Sequence, residues 1–422
     1  MSARSMKTTE KPEAAVDDRV PYLSLTERDR RWELVRGEME KRGLDCLMLV
    51  APGIGGDMAN IAYLTSVYKP GAGGALAVFP QKGEVTVHMG GNLANIEMWR
   101  HSQDWIKGVL SAPQPISFAQ VTIDRLQEMG LEKGRVGVVS TGGALVPDGG
   151  MARIYTVRGR ELLPQATWED TTDLVDNVRV IKSGEEIALI QKASDIGDRA
   201  IEVTAQYAKA GVRSKAVYAR LISAMVEGGS ELPFILWDAG PSPVHGVWIP
   251  DNNILRPGYV IMNEFSPFYR SYEAQFQRPM AVGYVPDLYA RLFDAAFASY
   301  RRGLETLKPG KSIGDVVKAM AEPIQKAGFI TITPYFHGLN PFIPIAFSHD
   351  RRRLYRAEDQ PKWNEFQGQL EAMPVRSGMV LAFEPNAVTP DQRSGVHLGD
   401  SILVTQSGNR RMSQLPMEWF IV

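Results

Sequence analysis

Two glutamates in the second half of the chain each stand near the end of a largely apolar run. Glu264 comes after the run 259–263, and Glu384 comes after the run 379–383. A carboxylate at the end of a buried strand costs free energy unless it is paired, bound to a metal or catalytic. The alternative is a strand-end side chain that turns to solvent. We therefore take both glutamates as candidate active-site residues.

Histidines in the same half of the chain could carry protons. His245 and His337 each stand directly before a glycine. Histidine suits proton transfer because its ordinary pKa of about 6.5 lies near neutral pH. A neighbouring glycine lets a backbone or a substrate approach closely. For either histidine alone, a solvent-facing loop residue is the competing interpretation.

The elements that would position these residues fall into two blocks. Residues 1–20 read as a flexible tail, and residues 21–176 as an N-terminal domain. Within it, amphipathic stretches alternate with short apolar runs. This alternation predicts an α/β domain with a mixed sheet. Its predicted helices are Leu25–Arg42 and Phe118–Met129, and its predicted strands are Asp45–Val50, Gly74–Pro80, Gly83–Met89 and Arg135–Ser140.

A second domain, residues 180–422, begins at a recognisable helix start. Ser183 followed by Glu186 is the pattern of a capping box, which satisfies free N–H groups at a helix N-terminus. Helices and strands are grouped rather than strictly alternating, which favours an α+β domain. The predicted helices are Ser183–Ala210, Ser214–Gly228, Asp287–Leu307 and Ser312–Ala327, and the predicted strands are Tyr259–Phe265, Gln277–Val282 and Met379–Glu384.

Composition excludes several classes of protein. With 47 Lys and Arg against 48 Asp and Glu, the net charge is -1, which argues against binding to nucleic acid. The only cysteine, Cys46, excludes an internal disulfide framework and reads as a buried strand thiol. No apolar run reaches the roughly 18 residues of a membrane span. The polar N-terminal residues lack the apolar segment of a secretory signal, so we expect a cytoplasmic protein that does not associate with a membrane.

The order of motifs resembles that of the creatinase/aminopeptidase P family, whose fold is called pita-bread. The resemblance covers about residues 25 to 415. It implies an N-terminal α/β domain, a C-terminal α+β catalytic domain of the pita-bread type, and a homodimer. The matching stretches are Asn60-Ile61-Ala62-Tyr63-Leu64-Thr65, Ile181-Lys182-Ser183-x-x-Glu186, Pro243-x-His245-Gly246, Arg256-Pro257-Gly258, His337-Gly338, Gly378-Met379-Val380-x-x-x-Glu384-Pro385 and Gly395-Val396-x-x-x-Asp400-x-Ile402-Leu403-Val404-Thr405.

The resemblance also implies a metal site that this chain has partly lost. Metallopeptidase members carry two divalent metals on two Asp, one His and two Glu. The matching positions here are Glu264, Gln275, His337, Glu384 and Gly399. Because two anionic ligands are missing, we expect no metal and no other cofactor. A single divalent metal on Glu264, His337 and Glu384 stays open, since His with two carboxylates is an acceptable ligand set.

What remains resembles creatinase, the member that works without a metal. The resemblance implies a hydrolase that cleaves a C–N bond of a small organic substrate. His245 would be the general acid/base, with His337, Glu384 and Glu264 as the other catalytic residues. Trp248 would be a pocket wall, Lys69 would replace an arginine borrowed from the partner subunit, and the further substrate-binding candidates are Gln275, Gln277, His349, Arg353 and His397.

Three other functions stay open at this point. The first is a lyase, because the fold also hosts a sulfonium lyase. The second is a mononuclear, metal-dependent Xaa-Pro aminopeptidase. The third is a non-catalytic binding protein. Retention of His245, His337 and Glu384 favours an enzyme, because a binding scaffold has no need of three converging polar residues.

Overall fold

The protein is described by a computed structural model that covers residues 22–51, 59–68, 74–112, 118–139, 157–340 and 356–422. The described residues form two compact units, one ending at Val175 and the other beginning at Asp176. The tail predicted for residues 1–20 lies outside the described residues. No helix in these ranges has the length and apolar character needed to cross a membrane.

The first unit is built on a mixed sheet, as predicted. Its elements are α1 (Leu25–Arg42), β1 (Cys46–Ala51), α2 (Ala59–Thr65), β2 (Ala75–Pro80), β3 (Thr86–Met89), α3 (Leu93–Ser102), β4 (Gly108–Ser111), α4 (Phe118–Glu128), β5 (Arg135–Val139) and β6 (Thr167–Asp170). Helix α5 (Thr172–Arg179) spans the boundary between the units. The six described strands lie in the order β4-β3-β2-β1-β5-β6, and β1 pairs antiparallel with β2 but parallel with β5.

Strand β1 lies in the core of this unit. Cys46 and Met48 pack in one apolar cluster with Ile123 and Leu126 of α4. Burial raises the pKa of the Cys46 thiol to about 12, so the thiolate, the reactive form, is strongly disfavoured. The interpretation of Cys46 as a buried, unpaired strand thiol is confirmed.

Helices of the second unit begin at well-formed caps. Ser183 accepts a hydrogen bond from the backbone N–H of Glu186, and the Glu186 carboxylate accepts one from the backbone N–H of Ser183, so the predicted capping box is present. The helices are α6 (Gly184–Tyr207), α7 (Ser214–Glu227), α8 (Asp287–Thr306), α9 (Ile313–Lys326) and α10 (Gln360–Ala372). Helices α8 and α9 pack with buried strand residues in the core of this unit.

Two four-stranded sheets carry the candidate site. The strands of this unit are β7 (Phe234–Gly240), β8 (Val260–Ser266), β9 (Phe268–Tyr269), β10 (Tyr272–Glu273), β11 (Met280–Ala281), β12 (Phe336–Gly338), β13 (Val380–Phe383), β14 (Asn386–Val388), β15 (Gly395–His397), β16 (Asp400–Val404), β17 (Asn409–Arg411) and β18 (Phe420–Ile421). The strand orders of the two sheets are β18-β11-β8-β7 and β12-β13-β16-β17. Gln277 and Gly399 join the two sheets, since the backbone N–H of each donates to the carbonyl of the other at 3.1 Å.

Strand bounds differ from the prediction at one informative place. The strand predicted for Gln277–Val282 is reduced to Met280–Ala281. Gln277 leaves the β8 ladder to pair with Gly399, which lies more than 120 residues away in the sequence. No local pattern reports such a pairing, so the prediction of a longer strand was wrong.

Candidate functional site

His245 lies in the loop after β7 and is fixed by its own neighbour. Its Nδ1 lies 2.6 Å from the carbonyl oxygen of Gly246. A carbonyl only accepts, so Nδ1 is the donor in this contact, and Nε2 is the nitrogen that can gain or lose a proton. That Nε2 lies 3.4 Å from Oε2 of Glu264, and the two side chains are 18% and 12% exposed. His245 is therefore a partly accessible base opposite a carboxylate.

The loop around His245 is held against the rest of the unit. A side chain at Gly246 would meet the backbone of β7 at 2.6 Å, so only glycine fits there. The carbonyl of Pro243 accepts hydrogen bonds from the Tyr289 hydroxyl at 2.6 Å and from the backbone N–H of Gly395 at 3.1 Å. These contacts fix the backbone on both sides of the histidine.

His337 and Glu384 form a second, more buried pair. His337 lies in β12 opposite Ala382 of β13, and Glu384 follows two residues later, so both side chains are on one face. The Nδ1 of His337 lies 3.0 Å from the Gly338 carbonyl, and its Nε2 lies 3.8 Å from Oε1 of Glu384. Burial lowers the pKa of His337, so this ring is neutral near neutral pH.

Two glutamine amides bridge the two glutamates. The Gln275 Nε2 donates to Glu264 at 3.0 Å and to Glu384 at 3.2 Å. The Gln277 Nε2 donates to both carboxylates at 2.9 Å. The predicted residues Glu264, Gln275, Gln277 and Glu384 are thus brought together in one polar cluster with His245 and His337.

Gly399 is explained by the side chain of Gln277. A Cβ at residue 399 would lie 2.8 Å from Oε1 of Gln277. The amide therefore fills the space that a side chain at residue 399 would need. The two positions are coupled, and the missing side chain at Gly399 is a packing requirement of this site.

A buried ion pair contacts the backbone of Gly399 and was not predicted from the sequence. Arg278 and Asp400 are both fully buried and form a salt bridge. Arg278 also donates to the Gly399 carbonyl, and Asp400 accepts from the Tyr300 hydroxyl at 2.6 Å and from Arg411 at 2.7 Å. Arg278 and Asp400 are far apart in the sequence, and nothing in the sequence around either residue identifies the other as its partner. Only the fold identifies this pair.

His397, a predicted substrate-binding residue, lies beside His245. The two rings meet edge to face with centroids 4.1 Å apart. His397 is 3% exposed, and neither ring nitrogen forms a hydrogen bond of good geometry among the described residues. Burial, reinforced by His245 when that ring is protonated, holds the pKa of His397 well below its ordinary value, and a backbone interaction with Val244 opposes this only in part. A neutral imidazole with no side-chain hydrogen bond therefore lies next to the candidate base.

Asp238 is a further polar residue near His245 that the sequence analysis did not select. It follows the run 234–237 in β7, which is the same signal that identified Glu264 and Glu384. Because the sequence does not predict a strand at 234–240, it does not identify Asp238 as a strand-end carboxylate.

The other predicted site residues do not join the cluster in the described structure. Trp248 was predicted to wall the pocket, but its side chain is 70% exposed and packs edge-on against Phe234. Val247 pairs antiparallel with Trp237 of β7, and the next side chain, Trp248, lies exposed over Phe234 instead of facing the cluster. Lys69, His349 and Arg353 lie outside the described residues, so their roles stay predictions.

Solved structures share this fold over nearly the whole chain. An X-Pro aminopeptidase from Thermotoga maritima superposes with a TM-score of 0.72 at 16% identity, covering 93% of this chain and 99% of that one. A prolidase from Pyrococcus horikoshii gives a TM-score of 0.69 at 18% identity, covering 92% and 99%. The predicted pita-bread fold with its N-terminal α/β domain is confirmed.

Curated relatives are similar at lower coverage. A Xaa-Pro dipeptidase of Pyrococcus furiosus is 26% identical over 251 residues, which span 58% of this chain and 66% of that protein. An ectoine hydrolase of Halomonas elongata is 26% identical over 290 residues, which span 64% and 67%. The match to the dipeptidase thus spans just under two thirds of its length.

The family comparison overturns one prediction. Residues 188–406, more than half of the chain, match metallopeptidase family M24. The prediction that the protein has no cofactor is therefore wrong, because the family is one of metallopeptidases. The loss of the ligand positions at Gln275 and Gly399 does not outweigh the similarity of the whole domain.

The described cluster nevertheless does not fit the metals that the family implies. No group of three or more His, Cys, Asp or Glu side chains in the described ranges could hold a metal ion. The amides of Gln275 and Gln277 direct N–H donors at the carboxylate oxygens that a cation would use. Gly399 offers no side chain. No chemical step is therefore assigned to a metal here.

The remaining comparisons agree on the class of enzyme. The relatives named above are a dipeptidase and a hydrolase, in keeping with the predicted hydrolase of the creatinase/aminopeptidase P type. The order of motifs, the fold and the match over residues 188–406 lead to the same conclusion. The chain belongs to metallopeptidase family M24.

Proposed function

We propose that this protein hydrolyses a C–N bond of a small organic substrate at the cluster around His245, Glu264 and Glu384. The observation that supports this most is the orientation of His245. Its Nδ1 is bound to the Gly246 carbonyl, and its Nε2 points to Glu264 while the ring stays 18% exposed. A base with one fixed tautomer and partial access to solvent suits proton transfer.

In the proposed reaction His245 moves one proton twice. Its Nε2 takes a proton from water as the water oxygen forms a bond to the substrate carbon. Glu264, 3.4 Å away, stabilises the resulting imidazolium. The C–N bond then breaks, and the proton passes from Nε2 to the leaving nitrogen. One water is consumed: its hydroxyl group stays on the substrate carbon, and its proton leaves on the nitrogen.

The buried pair has an orienting role in this proposal. His337 is neutral and held by Gly338, so its Nε2 offers a fixed acceptor next to Glu384. Gln275 and Gln277 keep the two carboxylates at a constant separation. Preorganised polar groups of this kind lower the barrier because they need no rearrangement during the reaction.

Candidate substrates follow from the activities of two relatives. Xaa-Pro dipeptides and ectoine are the compounds named for two of them. We would test these together with simple amides, ureas and guanidines. Each assay is run with added divalent metal and with chelator, because the family implies a metal.

A Glu384→Gln variant tests the role of the cluster once a substrate is found. The amide has nearly the shape of the carboxylate but no charge, so we expect turnover to fall by at least roughly tenfold. Glu132→Gln is the control, because Glu132 is exposed and lies in the first unit. Equal turnover in both variants would exclude Glu384 from the reaction. Absence of turnover in the wild-type protein across the panel would count against the proposed hydrolase.

A homodimer is part of the same proposal, and it rests on the family resemblance. Light scattering at micromolar concentration measures it directly. We expect about twice the chain mass of 46.7 kDa. A mass equal to one chain would contradict the prediction.

A further inference from the structure

The register of two strands places Asp238 beside the candidate catalytic residues. In the β7–β8 ladder, Leu236 is opposite Glu264 and Asp238 is opposite Met262. Side chains two residues apart on a strand point to the same face, so Asp238 and Glu264 share a face of the sheet. Diagonal neighbours of this kind lie about 7–8 Å apart. The Asp238 carboxylate is therefore within the reach of one small ligand that also contacts Glu264.

This carboxylate is half-buried and lacks a side-chain partner. Asp238 forms no ion pair and no hydrogen bond with another side chain among the described residues. Burial and the neighbouring Asp251 raise its pKa, whereas the Ala239 N–H and the charge of His245 act in the opposite direction. A carboxylate held in this way is costly to the fold unless something completes its interactions.

A second observation at the same place also indicates a ligand. His397 is buried, its ring lies against that of His245, and neither of its nitrogens forms a hydrogen bond of good geometry, although the Val244 backbone interacts with it. Buried polar atoms without well-formed hydrogen bonds are rare and call for an explanation. Asp238 and His397 both interact with His245 and both lack a side-chain hydrogen bond, which one ligand bound beside His245 would explain.

We propose that Asp238 is a specificity-determining residue that binds a cationic group of the substrate, an ammonium or amidinium, beside His245. The inference rests on the proposed function, because it assigns a substrate class to that same site. A cation is favoured over a neutral donor because, among the described residues, no Lys or Arg side chain forms an ion pair with Asp238 or Glu264. The described partners of Glu264 are two neutral amides and His245, and Asp238 has no side-chain partner.

Binding of a matched pair of probes tests this assignment without any turnover. Benzamidinium and benzamide share a shape but differ in charge, and isothermal titration measures both. We expect the wild-type protein to bind benzamidinium more tightly. In Asp238→Asn the benzamidinium affinity should fall between about tenfold and a hundredfold, as expected for a charge-assisted hydrogen bond. Benzamide affinity should stay unchanged.

Asp294→Asn is the matched control. Asp294 is an exposed residue of α8, so the variant removes the same charge away from the site. It should keep the wild-type preference for the cation. If Asp238→Asn keeps that preference as well, or if the wild-type protein shows none, the assignment of Asp238 is overturned.

Misfolding can be separated from loss of binding by thermal melting. The pKa of Asp238 is raised in the folded protein, so its ionised form lowers stability as the pH rises above the ordinary value. Asp238→Asn should therefore melt no lower than wild type at neutral pH. If no panel compound is hydrolysed but the charge preference depends on Asp238, the proposed function fails while the cation site stands.

Discussion

The two His–Glu pairs of the second unit share one construction and differ in burial. In each, a histidine before a glycine has its Nδ1 at the carbonyl of that glycine and its Nε2 toward a glutamate. The pair of His245 and Glu264 is 18% and 12% exposed, whereas the pair of His337 and Glu384 is 3% and 5% exposed. The same local chemistry is therefore placed once at an accessible surface and once in the core.

The difference in burial indicates a difference in role. A base that exchanges protons with water must be reached by water, which favours His245. Burial lowers the pKa of His337 and so keeps that ring neutral. We infer that the accessible pair carries the proton and that the buried pair positions the substrate. The predictions below change one pair at a time.

The largest expected effect is on turnover in His245→Ala. Loss of a general acid/base lowers the rate by roughly 10²–10⁴-fold. The melting temperature should change little, because the ring lies on a loop and is partly exposed. Steady-state kinetics on the substrate found by the panel, with thermal melting alongside, measures both. Near-wild-type turnover would place the chemistry elsewhere.

A smaller effect, on stability, is expected for His337→Ala. Removing a ring that is fully enclosed leaves a cavity beside Glu384, so the free energy of unfolding should drop by roughly 1–3 kcal/mol. Urea denaturation followed by tryptophan fluorescence measures it. His245→Ala serves as the comparison, and its free energy of unfolding should drop clearly less. Equal drops in the two variants would contradict the inference that only His337 is part of the core.

The smallest effect concerns the pH dependence of stability. The pKa of His337 is lowered in the folded protein, so the unfolded chain takes up more protons below about pH 6.5. Stability is therefore lost as the pH falls below that value. The melting temperature of His337→Asn should therefore fall less between pH 7 and pH 5.5 than that of the wild-type protein.

Some acid sensitivity should persist in that variant, because burial also lowers the pKa of His88 and His397. The control is His101→Asn, since His101 is exposed on α3. The melting temperature of this control should fall between pH 7 and pH 5.5 by as much as that of the wild-type protein. An equal fall in His337→Asn would show that His337 does not contribute to the acid sensitivity.

The two carboxylates of the site could be predicted from the sequence, whereas the contacts that hold them could not. Glu264 and Glu384 were found because a charge at the end of an apolar run is costly and therefore informative. The bridging by Gln275 and Gln277 could not be predicted, because it depends on the pairing of Gln277 with distant Gly399. The absence of a cofactor was wrongly predicted from single positions, whereas the family assignment used the order of motifs along the chain.

A double-mutant cycle on His245 and Glu264 tests the central claim most directly. If the two side chains act as one proton-carrying unit, their effects on turnover are not additive. We predict that His245→Ala combined with Glu264→Gln is no slower than His245→Ala alone, while Glu264→Gln alone is clearly slower than wild type. The account would be contradicted if the fold-losses in turnover of the two single variants multiplied in the double variant. It would also be contradicted if Glu264→Gln alone kept wild-type turnover.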